Sequence, residues 1–244
     1  MQHATRRLRR AVTPYSFRIV LILIVAWSTG CASSQGFDQA AMREVLRVDP
    51  PPTPDSRLVI NQNSRLSPPF RLGIVFTHHD FPTRPSIRTV EWLSADRDQL
   101  LRELTPLRDE QLIVETFVLT DVTLRGENTL GIRQAGARHG ADVVLIIDGV
   151  AAVDRYNNFF AWLYPTLIGA YLAPGTESDA LVMATGNLWA VRSDWHTPIQ
   201  TVEGQSKVTG SAVFVEDAAA LQAAKQQAIH ALGKHIADQL QRLK

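Results

Sequence analysis

From Phe70 onward the apolar residues fall into short, dense runs separated by stretches with helical periodicity. Arg71-Leu72-Gly73-Ile74-Val75-Phe76 has the length and density of a buried strand. Ser94 stands where a helix N-cap would, with Asp96 and Asp98 in the first turn. Leu100, Leu101, Leu104 and Leu107 then recur at helical spacing until Pro106 limits the run. The β-branched stretch Ile113 to Leu119 predicts a second strand. Glu127 to His139 predicts a helix, with Gly140 as the residue just past its end. Asp142-Val143-Val144-Leu145-Ile146-Ile147 is almost continuously apolar, which suits a central strand buried on both faces and ending at Asp148-Gly149.

The order to this point is β-α-β-α-β, and then the pattern changes. Leu181–Val191 and Ile199–Val208 predict a strand pair turning around Arg192-Ser193-Asp194-Trp195-His196. Glu216 to Leu243 reads as one long helix, acidic at its start and basic at its end, as the helix dipole favours. Leu221, Ala224, Ala228, Leu232, Ile236, Leu240 and Leu243 mark its buried stripe. The expected fold is therefore α/β, a β-α-β-α-β core extended by an antiparallel strand pair, with a long C-terminal helix. Residues 70–244 form its single domain.

The residues before this domain follow other rules. A cationic patch, Arg6-Arg7-Leu8-Arg9-Arg10, precedes the apolar run Ile19 to Trp27 and the small residues Ser28-Thr29-Gly30. These are the parts of a secretory signal, and the run is about half the ~20 residues a membrane-spanning helix needs. The one cysteine of the chain, Cys31, follows Gly30 directly. This arrangement resembles a lipobox, with Ser28 where Leu is usual, and it makes residues 1–30 a lipoprotein signal and Cys31 the acylated first residue. Residues 31–69 carry Asp49-Pro50-Pro51-Pro52-Thr53-Pro54 and Ser67-Pro68-Pro69. They are expected to be a flexible tether. Phe37 to Arg47 can form a short helix within this stretch; the alternative is an arm packed on the domain, with Leu58-Val59-Ile60 as an added edge strand.

Charge changes the picture once the signal is removed. Five arginines leave and no acid does, so 20 basic residues face 24 acidic ones and the net charge becomes −4. A mildly acidic chain has no basic face for nucleic acid. Membrane association then depends on the lipid at Cys31.

Candidate chemistry is sparse. His78-His79-Asp80 follows the first strand but has no further ligand at a metal-site spacing. His230 and His235 are five apart and do not share a helix face. Asp148 and Asp154 lack a nucleophile or a partner histidine, so a turn is their expected role. Gly131, Gly136 and Gly140 make no phosphate loop. No enzymatic activity, cofactor, metal or small-molecule substrate is expected. The most apolar stretch, Phe159 to Ala173, is interrupted by Pro165 and Gly169 and lacks the alternation of a barrel strand. Core packing is its expected role, and an exposed aromatic patch is the alternative. The loop from Tyr171 to Asp179 and the strand end Lys207 to Ser211 are expected to lie together, with Tyr164, Tyr171 and Lys207 forming a partner contact.

Phe70 to Phe76, Gly140-Ala141-Asp142-Val143-Val144, Leu167-Ile168-Gly169-Ala170-Tyr171 with Pro174-Gly175, and Val208-Thr209-Gly210-Ser211-Ala212 occur in this order in the rhombotarget lipoproteins. The chain resembles that family over most of residues 70–215. Its members carry a C-terminal Gly-Gly signal for rhombosortase. The present sequence ends Gln241-Arg242-Leu243-Lys244, so that processing does not transfer. The element order also resembles the periplasmic fold of the curli secretion lipoprotein, the lipoprotein activators of penicillin-binding proteins and the first domain of the Tol-system propeller protein. These resemblances imply a non-catalytic protein-binding adaptor or assembly factor, lipid-anchored in the bacterial envelope, with partners among envelope proteins. Ala32 after the cysteine resembles the pattern of outer-membrane sorting, facing the periplasm. The alternative is a subunit of an oligomeric export complex, which would need long alternating hairpins.

Overall fold

A computed structural model describes residues 33–47, 68–77, 86–120, 129–193 and 195–242. The signal, Cys31, the proline-rich stretch and His78-His79-Asp80 lie outside the described residues. In chain order the elements are α1 (Gln39–Val45), β1 (Phe70–Phe76), β2 (Arg88–Thr89), α2 (Ser94–Asp109), β3 (Ile113–Val118), α3 (Thr129–Arg138), β4 (Val143–Asn157), a short 3-10 helix (Phe159–Leu163), α4 (Leu167–Leu172), β5 (Thr176–Ala190), β6 (His196–Gly210) and α5 (Asp217–Gln241). The α/β class, the antiparallel extension and the long last helix are all present.

One mixed sheet runs β3-β1-β4-β5-β6, with β2 pairing onto β4. β1 is parallel to both β3 and β4, whereas β4-β5 and β5-β6 are antiparallel. Alternation along the strands sorts side chains to two faces. Leu72, Ile74, Val143, Leu145, Val182 and Leu188 pack under α2 and α5. Val75 and Val144 pack under α3, and Val150, Ala152, Leu181 and Met183 pack under α1 on that same face. The result is three layers.

The helix ends follow local chemistry. Gly140, at φ +74°, lets Ala141 donate back to Gly136 O at 2.9 Å and closes α3 as the sequence predicts. At α2 the cap sits one residue earlier than expected. Leu93 is the N-cap, and the Asp96 carboxylate accepts its N–H at 2.8 Å, so Ser94 is already helical. Buried Asp96 also pairs with Lys225 of α5 at 2.5 Å, and Lys225 donates to Glu91 O at 2.9 Å. This ion pair locks the two helices of one layer together.

Two expectations are corrected. The central strand does not end at Asp148-Gly149 but continues to Asn157, with β5 beside it in unbroken register. Asp148 and Asp154 therefore sit within a strand, not on a turn. The expected tether is also not free along its whole length. Asp38 caps α1 by accepting from Ala41 N at 2.9 Å, and Met42 of α1 is fully buried against the sheet. Phe37 and Val45 pack beside it. Of the stretch 31–69, residues 37–46 therefore pack on the sheet and are not free tether.

The three long strands have 15 residues each, about 50 Å at ~3.3 Å per residue. β1 pairs only with Val143–Ile147, so the second half of β4 runs on beyond the parallel part of the sheet. That extension ends where Asn157, Thr176 and Gly210 lie side by side. We call this the distal end.

Candidate contact site at the distal end

Residues 158–175 close the distal end as a self-contained unit. Asn158 Oδ1 accepts from Phe160 N at 2.9 Å and starts the 3-10 helix, while its Nδ2 donates to Pro174 O and to Glu177 Oε1. Thr166 Oγ1 accepts from Gly169 N at 3.0 Å and starts α4. Asn158 N donates to Gly175 O at 2.8 Å and shuts the loop at its base. The turn is tight enough to require glycine. A Cβ on Gly169 would stand 2.0 Å from Leu163 O, and one on Gly175 would stand 2.6 Å from Ala161 N.

With these polar atoms paired inside the unit, its apolar side chains point outward. Leu167 is 82% exposed, Phe159 78%, Leu172 77% and Ile168 72%. Trp162, Phe160 and Tyr171 are exposed as well. Val213 and Phe214, from the turn after β6, join them, with Phe214 edge-on to Tyr171 at 6.0 Å between ring centres. The expectation of core packing for 159–173 is overturned, and the exposed aromatic alternative holds. The two segments that form this surface contain no charged residue, and Arg155 borders it by donating to Ala212 O at 3.1 Å. No Asp, Glu, Lys or Arg lies between Arg155 and Glu177, nor between Lys207 and Glu216.

The three residues expected to share a contact are brought to this end, in different roles. Tyr171 lies in the exposed surface. The Tyr164 hydroxyl is 2.7 Å from Thr176 Oγ1 and ties the loop to β5. Lys207 lies behind the surface in a polar knot. Its ammonium meets Glu177 at 2.5 Å and Tyr156 Oη at 2.7 Å, with Asp179 at 3.8 Å, and Tyr156 in turn donates to Asp179 at 3.0 Å. The Lys207 hydrogen bond, helped by Asn158, holds the Glu177 carboxyl down from 4.5 to about 2. Glu177 and Tyr156 in return raise the Lys207 ammonium. The bond from Lys207 pulls the Tyr156 phenol down, but Glu177, burial and Asp179 outweigh it and the net shift is upward.

The strand-end loops lie together as expected, since Asp179 faces Lys207 and Thr176 faces Gly210. The loop from Tyr171, however, ends at Gly175, and Thr176–Asp179 belong to β5.

The arm from the N-terminal side also meets this end of the sheet. Asp154, three residues before Asn157, accepts from Ser34 Oγ at 2.7 Å, Gln35 N at 2.8 Å and Gly36 N at 3.0 Å. Asp154 is thus a clamp for the start of the folded chain. His230 is engaged elsewhere, with its Nδ1 2.8 Å from Glu103 Oε1. His235 borders a shallow cleft beside Asp238 of α5 and Arg242 at its C-cap. Among the described residues no three metal-ligating side chains converge.

The sequence places Trp162, Leu167, Ile168 and Leu172 in a segment expected to be core, with exposure as the alternative, and does not single out Phe214. The signal that separates them from core was present. Pro165, Gly169, Pro174 and Gly175 break the run into pieces too short to turn one face inward.

No protein-family model matches the chain, and no curated protein does. Among solved structures it is similar to a neuraminyllactose-binding hemagglutinin homolog from Helicobacter pylori, with 12% identity over 77% of this chain and 91% of that one and a TM-score of 0.33. It is also similar to the hypothetical protein CT253 from Chlamydia trachomatis, with 7% identity over 70% of this chain and 95% of that one and a TM-score of 0.31. Superpositions this loose carry no statement about what this chain does.

Proposed function

We propose that this protein is a non-catalytic, lipid-anchored adaptor of the bacterial envelope that works by surface contact at its distal end. The observation that carries the reading is the outward-facing, charge-free platform of 158–175. Large contiguous apolar surface is rare on a monomeric domain and marks interaction sites. Here it is held by internal hydrogen bonds, which lowers the ordering cost of binding. Of the acids and histidines that could have suggested chemistry, Asp154 clamps the arm and His230 pairs with Glu103. The lipid anchor at Cys31 and the outer-membrane address rest on the sequence pattern.

The test is crosslinking capture in native envelopes, comparing the natural chain with Leu167→Ser/Ile168→Ser/Leu172→Ser. Loss of the captured species with unchanged protein level and melting temperature is expected. Unchanged capture would remove the platform from the function.

A further inference from the structure

The described chain starts beside the platform, which limits what can reach the platform if Cys31 carries the anchor. Ser34 is bonded to Asp154, and Asp154 is about 10 Å along β4 from Asn157, where the platform begins. Only three residues of chain separate Ser34 from Cys31, a reach of at most about 11 Å. An acyl chain on Cys31 enters the bilayer there. The first surface that Phe159, Trp162, Leu167, Ile168, Leu172 and Phe214 then meet is the lipid interface itself.

The composition fits that occupant. Leucine, isoleucine and phenylalanine supply apolar depth, while Trp162 and Tyr171 have the amphipathic rings that favour the headgroup region. The span 158–175 contains no charged residue, and each cation bordering it is matched by a carboxylate: Arg155, which donates to Ala212 O, pairs with Asp217, and Lys207 pairs with Glu177. We infer that the platform docks on the lipid interface of the membrane that holds the anchor, by apolar insertion and not by charge. The inference rests on the lipid-anchor reading above and names the occupant of the same site. Its consequence is orientation. The strands β4–β6 stand up from the bilayer, and the β5–β6 turn is held at the far end of a span of about 50 Å.

The experiment uses the chain from residue 31 with Cys31→Ser. The described core lies between Ala41 and Leu240, so this chain keeps all of it while lacking both signal and lipid. It is sedimented with vesicles of phosphatidylcholine alone and of phosphatidylcholine with phosphatidylglycerol. Salt is raised from about 0.1 M to about 1 M, which shortens the screening length from ~10 to ~3 Å.

The expected result is binding to both compositions, changed less than about twofold by salt. It should weaken roughly tenfold or more in Leu167→Ser/Ile168→Ser/Leu172→Ser, with no change in melting temperature. Emission from Trp162, isolated by difference against Trp162→Phe, should shift to the blue on binding.

Absence of vesicle binding, or binding only to anionic vesicles that salt abolishes, overturns the inference. So does a lipid-free dimer that the triple substitution dissolves. If vesicles do not bind but envelope capture of a protein still needs the platform, the lipid inference fails and the adaptor reading stands. If the triple substitution alters neither binding nor capture, both fail.

Discussion

Lys207, expected in a partner contact, has a structural role as well: its half-exposed ammonium is engaged by Glu177 and Tyr156. The knot fastens β6 to β5 behind the platform. Because the Glu177 carboxyl is held down at about 2, its stabilising contribution is complete above the ordinary value of 4.5 and is lost as pH falls toward 2. The raised Lys207 ammonium contributes fully below 10.5 and loses that contribution only at higher pH. The melting temperatures of the natural chain and Glu177→Gln should therefore differ by a constant amount from about pH 5 to pH 10 and converge in acid. A difference that persists at pH 2 would show that the contribution is not electrostatic. The Asp96–Lys225 pair makes a stronger demand, since both side chains are buried. Asp96→Asn should cost about 3–5 kcal/mol in denaturant unfolding, because it leaves a buried cation without its partner. Asp96→Asn/Lys225→Met should cost less than the two single changes added together. None of these pairings is visible in sequence, because each joins residues far apart along the chain.

Elements were legible where one face repeats and illegible where it does not. The periodic leucines of α2, the continuous apolar run opening β4 and the stripe of α5 from Ala224 to Leu240 form what their spacing predicts, although α2 runs through Pro106 to Asp109. Asp148-Gly149 looked like a strand end because acid and glycine favour turns. Pairing to β5 along the entire length of β4 overrides that preference. The segment 159–173 failed in the opposite sense: its hydrophobicity was read as burial, while its prolines and glycines direct it into short turns whose polar atoms pair inward. Two substitutions separate these accounts. Leu167→Ser/Ile168→Ser should leave unfolding free energy within about 0.5 kcal/mol of the natural chain, as for surface positions, whereas core positions would lose several. Gly169→Ala should disturb the loop itself, because its Cβ would meet Leu163 O. Lower vesicle binding with altered Trp162 emission is the expected readout.

At the scale of the molecule, the arm, the long hairpin and α5 tie the two ends together. α5 spans about 37 Å, from Asp217 bonded to Ser178 near the platform to Gln239 bonded to Thr197 near the β5–β6 turn. The arm completes the opposite face by burying Met42. Met42→Ala should cost about 2–5 kcal/mol. A chain starting at residue 70 should melt well below one starting at residue 31, since Val150, Ala152, Leu181 and Met183 lose their cover.

The central claim is that the distal end faces outward and makes the contact through which the protein works. It is tested most directly by a photoreactive residue placed at Ile168 in the full-length protein, irradiated in intact envelopes, with one at Arg192 near the far turn as reference. The account predicts that position 168 crosslinks to envelope components, phospholipid first among them, in a pattern that position 192 does not share. Failure of position 168 to crosslink outside its own chain, or the same products from both positions, would contradict it.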